Sequence, residues 1–250
     1  MKTDPRRARR SPHDRDASAT HDGRNFVSTD AVAPVESVRR AYDFFSLFYD
    51  RLAAPWERRA CLRGLELARI APTDRVLEVA VGPGLMTLEI LRRVERSNIV
   101  NGIDLSPGML RKARCRVSAS GYPNVDLRVG DARLLPYEDN RFDVLYNGFM
   151  LDLIPSGELP QVLGEFRRVL KPDGRLVLVC MSKRRADRRT WFERLYQRLP
   201  RAWVPYLLGS CRPVMMAPLV VQAGFVRVRR EVVRTVFFPA EVVTARRAER

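Results

Sequence analysis

Residues 75–84 read Arg75-Val76-Leu77-Glu78-Val79-Ala80-Val81-Gly82-Pro83-Gly84, and helix-patterned residues run on from Leu85 to Val94. A short apolar run, a glycine-proline-glycine stop and an amphipathic segment predict a buried strand, a tight turn and a helix. The unit recurs downstream. Strands are predicted at Ile99–Ile103, Val125–Val129, Phe142–Tyr146 and Arg175–Cys180, the last after the turn Lys171-Pro172-Asp173-Gly174. Helices are predicted at Pro107–Ser118 and Glu158–Leu170. Buried strands alternating with helices of this length imply a doubly wound parallel sheet. Beyond it, a helix over Val214–Ala223 stops at Gly224, a residue free to take the left-handed conformation that ends helices. Phe225–Val233 and Glu241–Ala245 then read as a closing antiparallel hairpin. The expected fold is α/β, a seven-stranded sheet that is mostly parallel with an antiparallel C-terminal strand.

Upstream, Tyr42, Phe45, Phe48 and Tyr49 fall on one face of a helical pattern that begins at Val38, and a second helix is predicted from Trp56 to Ile70, closed by Pro72. Residues 1–34 mix Arg, Asp, Ser, Pro and His with little apolar content, too little burial to offset the entropy of ordering, so a disordered basic arm is expected. Residues 35–250 make one domain. Within it, 182–212 reads as a basic, aromatic insertion or lid.

The chain carries a formal net charge of +16. From Ser182 onward sixteen Lys/Arg face five Asp/Glu, so most of the excess lies in the last quarter. Clustered cations attract polyanions, which raises an anionic membrane surface or a nucleic acid as partner. Arginines interleaved with Trp191, Phe192 and Trp203 suit an interfacial helix, so Lys183–Arg212 is expected either to lie on an anionic membrane or to cover a pocket. Cys61, Cys115, Cys180 and Cys211 are scattered, without metal-ligand spacing or a disulfide framework. Both histidines, His13 and His21, fall in the arm, leaving the domain no histidine as general base or metal ligand. No run of about 18 apolar residues occurs and the N-terminus does not pattern as a signal peptide, so a cytoplasmic location is expected, with peripheral contact at the inner membrane face.

In an open parallel sheet the ligand sits beyond the carboxyl ends of the strands, where the first glycine turn lets backbone approach it. Glu78-x-Ala80-x-Gly82-x-Gly84 occupies that place. Asp104 ends the second strand in Gly102-Ile103-Asp104-Leu105-Ser106, where a carboxylate can accept both ribose hydroxyls. Asp131 ends the third in Gly130-Asp131-Ala132, where an acid and the next N–H can read an adenine edge. Taken singly these are ordinary residues: a strand-end acid paired with an arginine, a charge at a helix N-terminus, a turn aspartate. In order, at three successive strand ends, they imply one nucleotide-type pocket.

These motifs resemble the class I S-adenosylmethionine-dependent methyltransferases, in particular the ubiquinone/menaquinone-biosynthesis C-methyltransferase-like group. Val76–Gly84, Gly102–Leu110 and Gly130–Ala132 with Leu135-Pro136 are similar to its first three motifs. Phe142-Asp143-Val144-Leu145 and Glu165–Leu176 complete the set, and the likeness covers residues 38–181. It implies a Rossmann-like fold, S-adenosylmethionine as cofactor, Glu78 with the Gly82 and Gly84 backbone at its methionine portion, Asp104 at its ribose, and Asp131 with Ala132 at its adenine. Thr87 and Asn147 match positions that often line the cofactor. Ala80 replaces the usual first glycine; its φ is expected to be ordinary and cofactor binding weaker.

Methyl transfer asks the protein mainly to orient reactants and exclude water. The acceptor, small or lipid-like (a quinol, phenol or phospholipid head group), is expected between the Tyr42 helix, Asn147–Ile154 and the segment near Trp191–Arg212. Asp152 is the candidate base, ahead of Tyr49, Asp50 and Arg212. An RNA methyltransferase and a non-catalytic cofactor-binding protein are the alternatives. Nucleic acid ranks below a small acceptor because no Asn/Asp-Pro-Pro-Tyr/Phe motif occurs and neither Cys180 nor Cys211 follows a proline.

Overall fold

The computed structural model describes residues 30–31, 35–46, 54–182, 191–199, 211–235 and 238–249. Helices α1 (Val35–Phe45) and α2 (Ala54–Ala68) precede β1 (Val76–Val79), α3 (Leu85–Leu91), β2 (Val100–Asp104), α4 (Pro107–Ala119) and β3 (Val125–Val129). Then come β4 (Phe142–Gly148), α5 (Leu159–Val169), β5 (Leu170–Met181), α6 (Trp191–Arg198), α7 (Met216–Gln222), β6 (Phe225–Arg234) and β7 (Pro239–Arg247). The seven strands form one sheet in the order β3-β2-β1-β4-β5-β7-β6. The first five run parallel, and β7 lies antiparallel between β5 and β6. The chain therefore reverses its winding direction between β1 and β4, the place where an open α/β sheet forms its ligand crevice.

Successive strand residues point to opposite faces. On β1, Leu77 and Val79 join the core formed with Val162 and Phe166 of α5 and Val220 of α7, whereas Val76 joins Ala60 and Leu65 of α2 and Ile90 of α3 on the other side. Both faces of the sheet are thus covered, which is why its parallel strands read as unbroken apolar runs.

Several boundaries differ from those expected: α1 begins at Val35 rather than Val38, α2 spans Ala54–Ala68 rather than Trp56–Ile70, and β2 spans Val100–Asp104 rather than Ile99–Ile103. Leu170 is extended, with φ −71° and ψ 142°, so α5 stops one residue sooner and β5 begins there. The expected turn Lys171–Gly174 becomes an irregularity inside β5, where the register jumps from Phe142↔Leu170 to Val144↔Arg175. Lys171 Nζ lies 2.7 Å from Asp143 Oδ1 and ties the irregularity to β4.

Most of the expected arm, together with Tyr49, Asp50 and much of the 182–212 stretch, lies outside the described residues. Asp30 is placed against the domain: its carboxylate accepts from Ser156 N at 2.8 Å and Ser156 Oγ at 2.7 Å. Among the described residues, several C-terminal arginines are engaged within the fold. Arg246 pairs with Asp173 at 2.5 Å, Arg230 with the buried Glu241, and Arg247 donates to the Arg168 carbonyl at 3.2 Å. Among the described residues no helix is long and apolar enough to cross a membrane.

Candidate cofactor and acceptor site

The turn after β1 is built on three alternate residues with positive φ. Ala80 has φ +61°, Gly82 +55° and Gly84 +82°. The ordinary φ expected for Ala80 is therefore corrected: its Cβ is carried into the left-handed region, a strain on the order of 1 kcal/mol. Gly84 serves packing. A Cβ there would stand 2.9 Å from Ala113 Cα, so only glycine lets the start of α3 approach α4. Gly82 donates its N–H to Asp104 Oδ2 at 2.7 Å, and Ser106 N donates to Oδ1 at 2.8 Å. The tip of β2 thereby braces the turn of β1.

A cleft of about 900 Å³ opens at these strand ends. Ala80, Gly82, Asp104, Asp131 and Ala132 line it, as do Val35, Val38, Arg39 and Tyr42 of α1 and Phe149, Met150, Leu153 and Ile154 after β4. Across the Ala80–Gly82 turn lies a smaller cavity of about 480 Å³, lined by Glu57, Arg58, Cys61, Glu78, Met86 and Tyr146. Asp104 and Asp131 thus share one cleft, and Glu78 faces the adjoining one. The period of two along β1 turns Glu78 toward α2 along with Val76, which accounts for the division.

The acids are tuned differently. Burial pushes Glu78 up to about 8, against the hydrogen bond that Thr87 Oγ1 donates to it at 2.5 Å. Asp104 is pushed up to about 6 by burial, opposed by the Ser106 and Gly82 N–H groups and assisted by the nearby Asp43 carboxylate. Burial also acts on Asp131, but there the hydrogen bonds and charge of Arg133 win and hold it below the usual carboxylate range. Arg133 Nη2 lies 2.6 Å from Asp131 and Nη1 2.9 Å from Glu158.

Thr87 and Asn147 do not line either cavity. Thr87 is wholly buried and acts on Glu78; Asn147 Nδ2 donates to Val79 O at 2.9 Å and ties β4 to β1. Asp152 is wholly buried behind the cleft wall formed by Met150, Leu153 and Ile154. Its Oδ2 accepts from Met181 N at 3.2 Å, Oδ1 has no hydrogen-bond partner, and burial raises it to about 6 against the pull of the Met181 N–H and of Arg212. Arg212, also fully buried, donates to the carbonyls of Asp152 at 3.2 Å and Ile154 at 2.5 Å. A general base must come within about 3 Å of the proton it takes, and Asp152 does not reach the cleft, so its geometry is that of a residue fastening the 149–154 loop to β5. Sequence reasoning missed Glu57 and Arg58. They belong to an amphipathic helix whose charges look like any solvated face, and no spacing distinguishes the two that meet the β1 turn.

A parallel sheet with a glycine turn after β1 and carboxylates at the tips of β2 and β3, both on one cleft, defines the class I S-adenosylmethionine-dependent methyltransferases. The methyltransferase domain family matches residues 76–174. A demethylmenaquinone methyltransferase of Symbiobacterium thermophilum is 36% identical over 152 residues, which are 58% of this chain and 59% of that one. The ubiquinone/menaquinone biosynthesis C-methyltransferase UbiE of Teredinibacter turnerae is 33% identical over 174 residues, 67% of this chain and 68% of the relative. Among solved structures, a SAM-dependent methyltransferase from Aquifex aeolicus superposes with TM-score 0.61 at 21% identity, covering 82% of this chain and 98% of that one. The cyclase SpnF superposes with TM-score 0.66 at 22% identity, covering 86% and 98%. The chain belongs to the S-adenosylmethionine-dependent methyltransferase family, in its ubiquinone/menaquinone C-methyltransferase-like group. It spans 59% to 64% of the length of the first curated relatives it matches.

Proposed function

We propose that the protein transfers a methyl group from S-adenosylmethionine to a small quinol- or phenol-type acceptor with apolar substituents. The observation that carries this reading is the pair of adjoining cavities: one holds Asp104 and Asp131, the other Glu78, with the Ala80–Gly82 turn between them. A ligand with a nucleoside at one end and an amino acid at the other matches that division. The cofactor supplies an electrophilic methyl on a sulfonium, so displacement needs alignment more than acid–base help.

The chain's own residues do the aligning. Asp104, already fixed by two backbone N–H groups, has lone pairs left for ribose hydroxyls. Asp131, held ionised by Arg133, would receive the adenine edge together with the Ala132 N–H. Glu78 and Glu57, which line the smaller cavity, would hold the ammonium of the methionine portion, and Arg58 would hold its carboxylate. The apolar wall of Val38, Met150, Leu153 and Ile154 excludes water and suits an aromatic ring with a greasy substituent.

The acceptor class is supported by the relatives named for demethylmenaquinone and for ubiquinone/menaquinone biosynthesis. An acceptor with a lipid tail brings its enzyme to a membrane, and the basic, aromatic stretch Lys183–Arg212 supports contact with an anionic surface; co-sedimentation with anionic liposomes at low salt tests that part. The main test is transfer of labelled methyl from S-adenosylmethionine to a quinol, a phenol, a phospholipid and RNA, side by side. Label in the quinol or phenol supports the proposal. Label only in phospholipid or RNA, or in none, overturns it.

A further inference from the structure

We infer that Asp43 is a latch that holds helix α1 closed over the cofactor cleft, and that its grip on the N-terminus of α4 sets how long cofactor and demethylated product stay bound. The inference rests on the functional reading above.

Helix α1 roofs the cleft with Val35, Val38, Arg39 and Tyr42, so a ligand seated on Asp104 lies beneath it. Near the C-terminal end of α1, Asp43 Oδ1 accepts from Ser106 Oγ at 2.6 Å and from Gly108 N at 2.9 Å. Both donors lie at the start of α4, where unsatisfied N–H groups and the helix dipole favour a carboxylate. Ser106 is shared: its N–H goes to Asp104, its hydroxyl goes to Asp43, and the same oxygen accepts from Met109 N at 3.0 Å. The residue that fixes the ribose carboxylate is therefore the residue that the roof helix grips.

Gly108 shows the closeness of the same contact in steric terms. A Cβ at that position would stand 2.9 Å from Asp43 Oδ1, 3.1 Å from Ser46 Oγ and 3.3 Å from Asp43 Cα, so an added side chain displaces the Asp43 carboxylate and presses on the α1 backbone. Its backbone does not require glycine, because it lies in α4 without a positive φ. Close approach of α1 is what the missing side chain provides.

A ligand bound only under a closed roof is held in proportion to the closed fraction. Losing the charged hydrogen bonds in Asp43→Asn should speed release of S-adenosylhomocysteine by about tenfold. Gly108→Ala should do the same by steric means while leaving α4 intact, since alanine is the better helix former. A purely structural role would instead lower the unfolding temperature of both variants together with binding. The experiment measures S-adenosylhomocysteine release from the full chain by displacement with excess S-adenosylmethionine, alongside tryptic cleavage after Arg39 and Arg40 with and without ligand.

Faster release in Gly108→Ala at an unchanged or higher unfolding temperature, with weaker ligand protection of Arg39 and Arg40, supports the latch whether or not Asp43→Asn folds. Wild-type release rates in Gly108→Ala and in any folded Asp43→Asn, with normal wild-type binding, overturn the latch alone. Failure of the wild-type chain to bind S-adenosylhomocysteine overturns the functional reading and the latch with it.

Discussion

Asp104 holds Gly82 across the sheet: the carboxylate at the tip of β2 accepts the turn amide that follows β1 at 2.7 Å. One side chain thus shapes the glycine turn and, in the proposed reading, receives the ribose. Removing it should damage both. Asp104→Ala leaves the Gly82 and Ser106 N–H groups without their acceptor, a cost of about 1–3 kcal/mol each when buried. Denaturant unfolding should register that loss, and calorimetry with S-adenosylmethionine should show binding reduced by at least tenfold. A stable Asp104→Ala that binds as wild type contradicts the site.

Glu78 gives a pH signature. Its folded pKa of about 8 lies above its ordinary 4.5. The ligand-free fold therefore has the full benefit of neutral Glu78 below about pH 4.5 and loses it progressively as pH rises through 8. Cofactor binding runs the other way, because the ammonium wants the carboxylate: affinity should climb between pH 6 and 8 by up to about tenfold per unit. Glu78→Gln should flatten both curves over that window. Calorimetric titrations at several pH values decide it, and a wild-type affinity that is flat from pH 6 to 8 excludes this role for Glu78.

Thr87 acts through Glu78. Its hydroxyl stabilises the ionised form, so Thr87→Val, which keeps the shape and removes the donor, should push Glu78 further up and move the affinity profile to more alkaline pH. An unshifted profile would mean that the 2.5 Å hydrogen bond has no influence on the carboxylate.

Ala80 stands where its φ of +61° favours glycine. Ala80→Gly should raise stability by roughly 0.5 kcal/mol, the left-handed strain being partly offset by glycine's greater freedom when unfolded. Chemical denaturation measures this, and a less stable glycine variant would contradict the strained geometry.

Much of this molecule could be read along the chain. Strand–turn–helix periodicity predicted the parallel sheet and its antiparallel closing strand, and the acids at 78, 104 and 131 stood out because each sits at or beside the end of a strand. Exact boundaries were less legible: the turn at Lys171–Gly174 carries strong local signals, yet pairing with β4 and the Lys171–Asp143 ion pair absorb it into β5. Thr87 and Asn147 were read as lining residues from the family resemblance and Asp152 as a base from its place at the sheet edge, and all three are buried beside the cleft with other partners.

The order of elements, the glycine turn and the placement of acids at strand ends came from the sequence by itself, because each depends on residues within a turn or two of one another. Only the tertiary structure decided which acids share a cavity, that Glu57 and Arg58 of α2 meet the β1 turn, and that Asp43 grips Ser106 from 63 positions away. Cavity walls are assembled from side chains brought together by packing, and packing over such separations leaves no periodic trace in the chain.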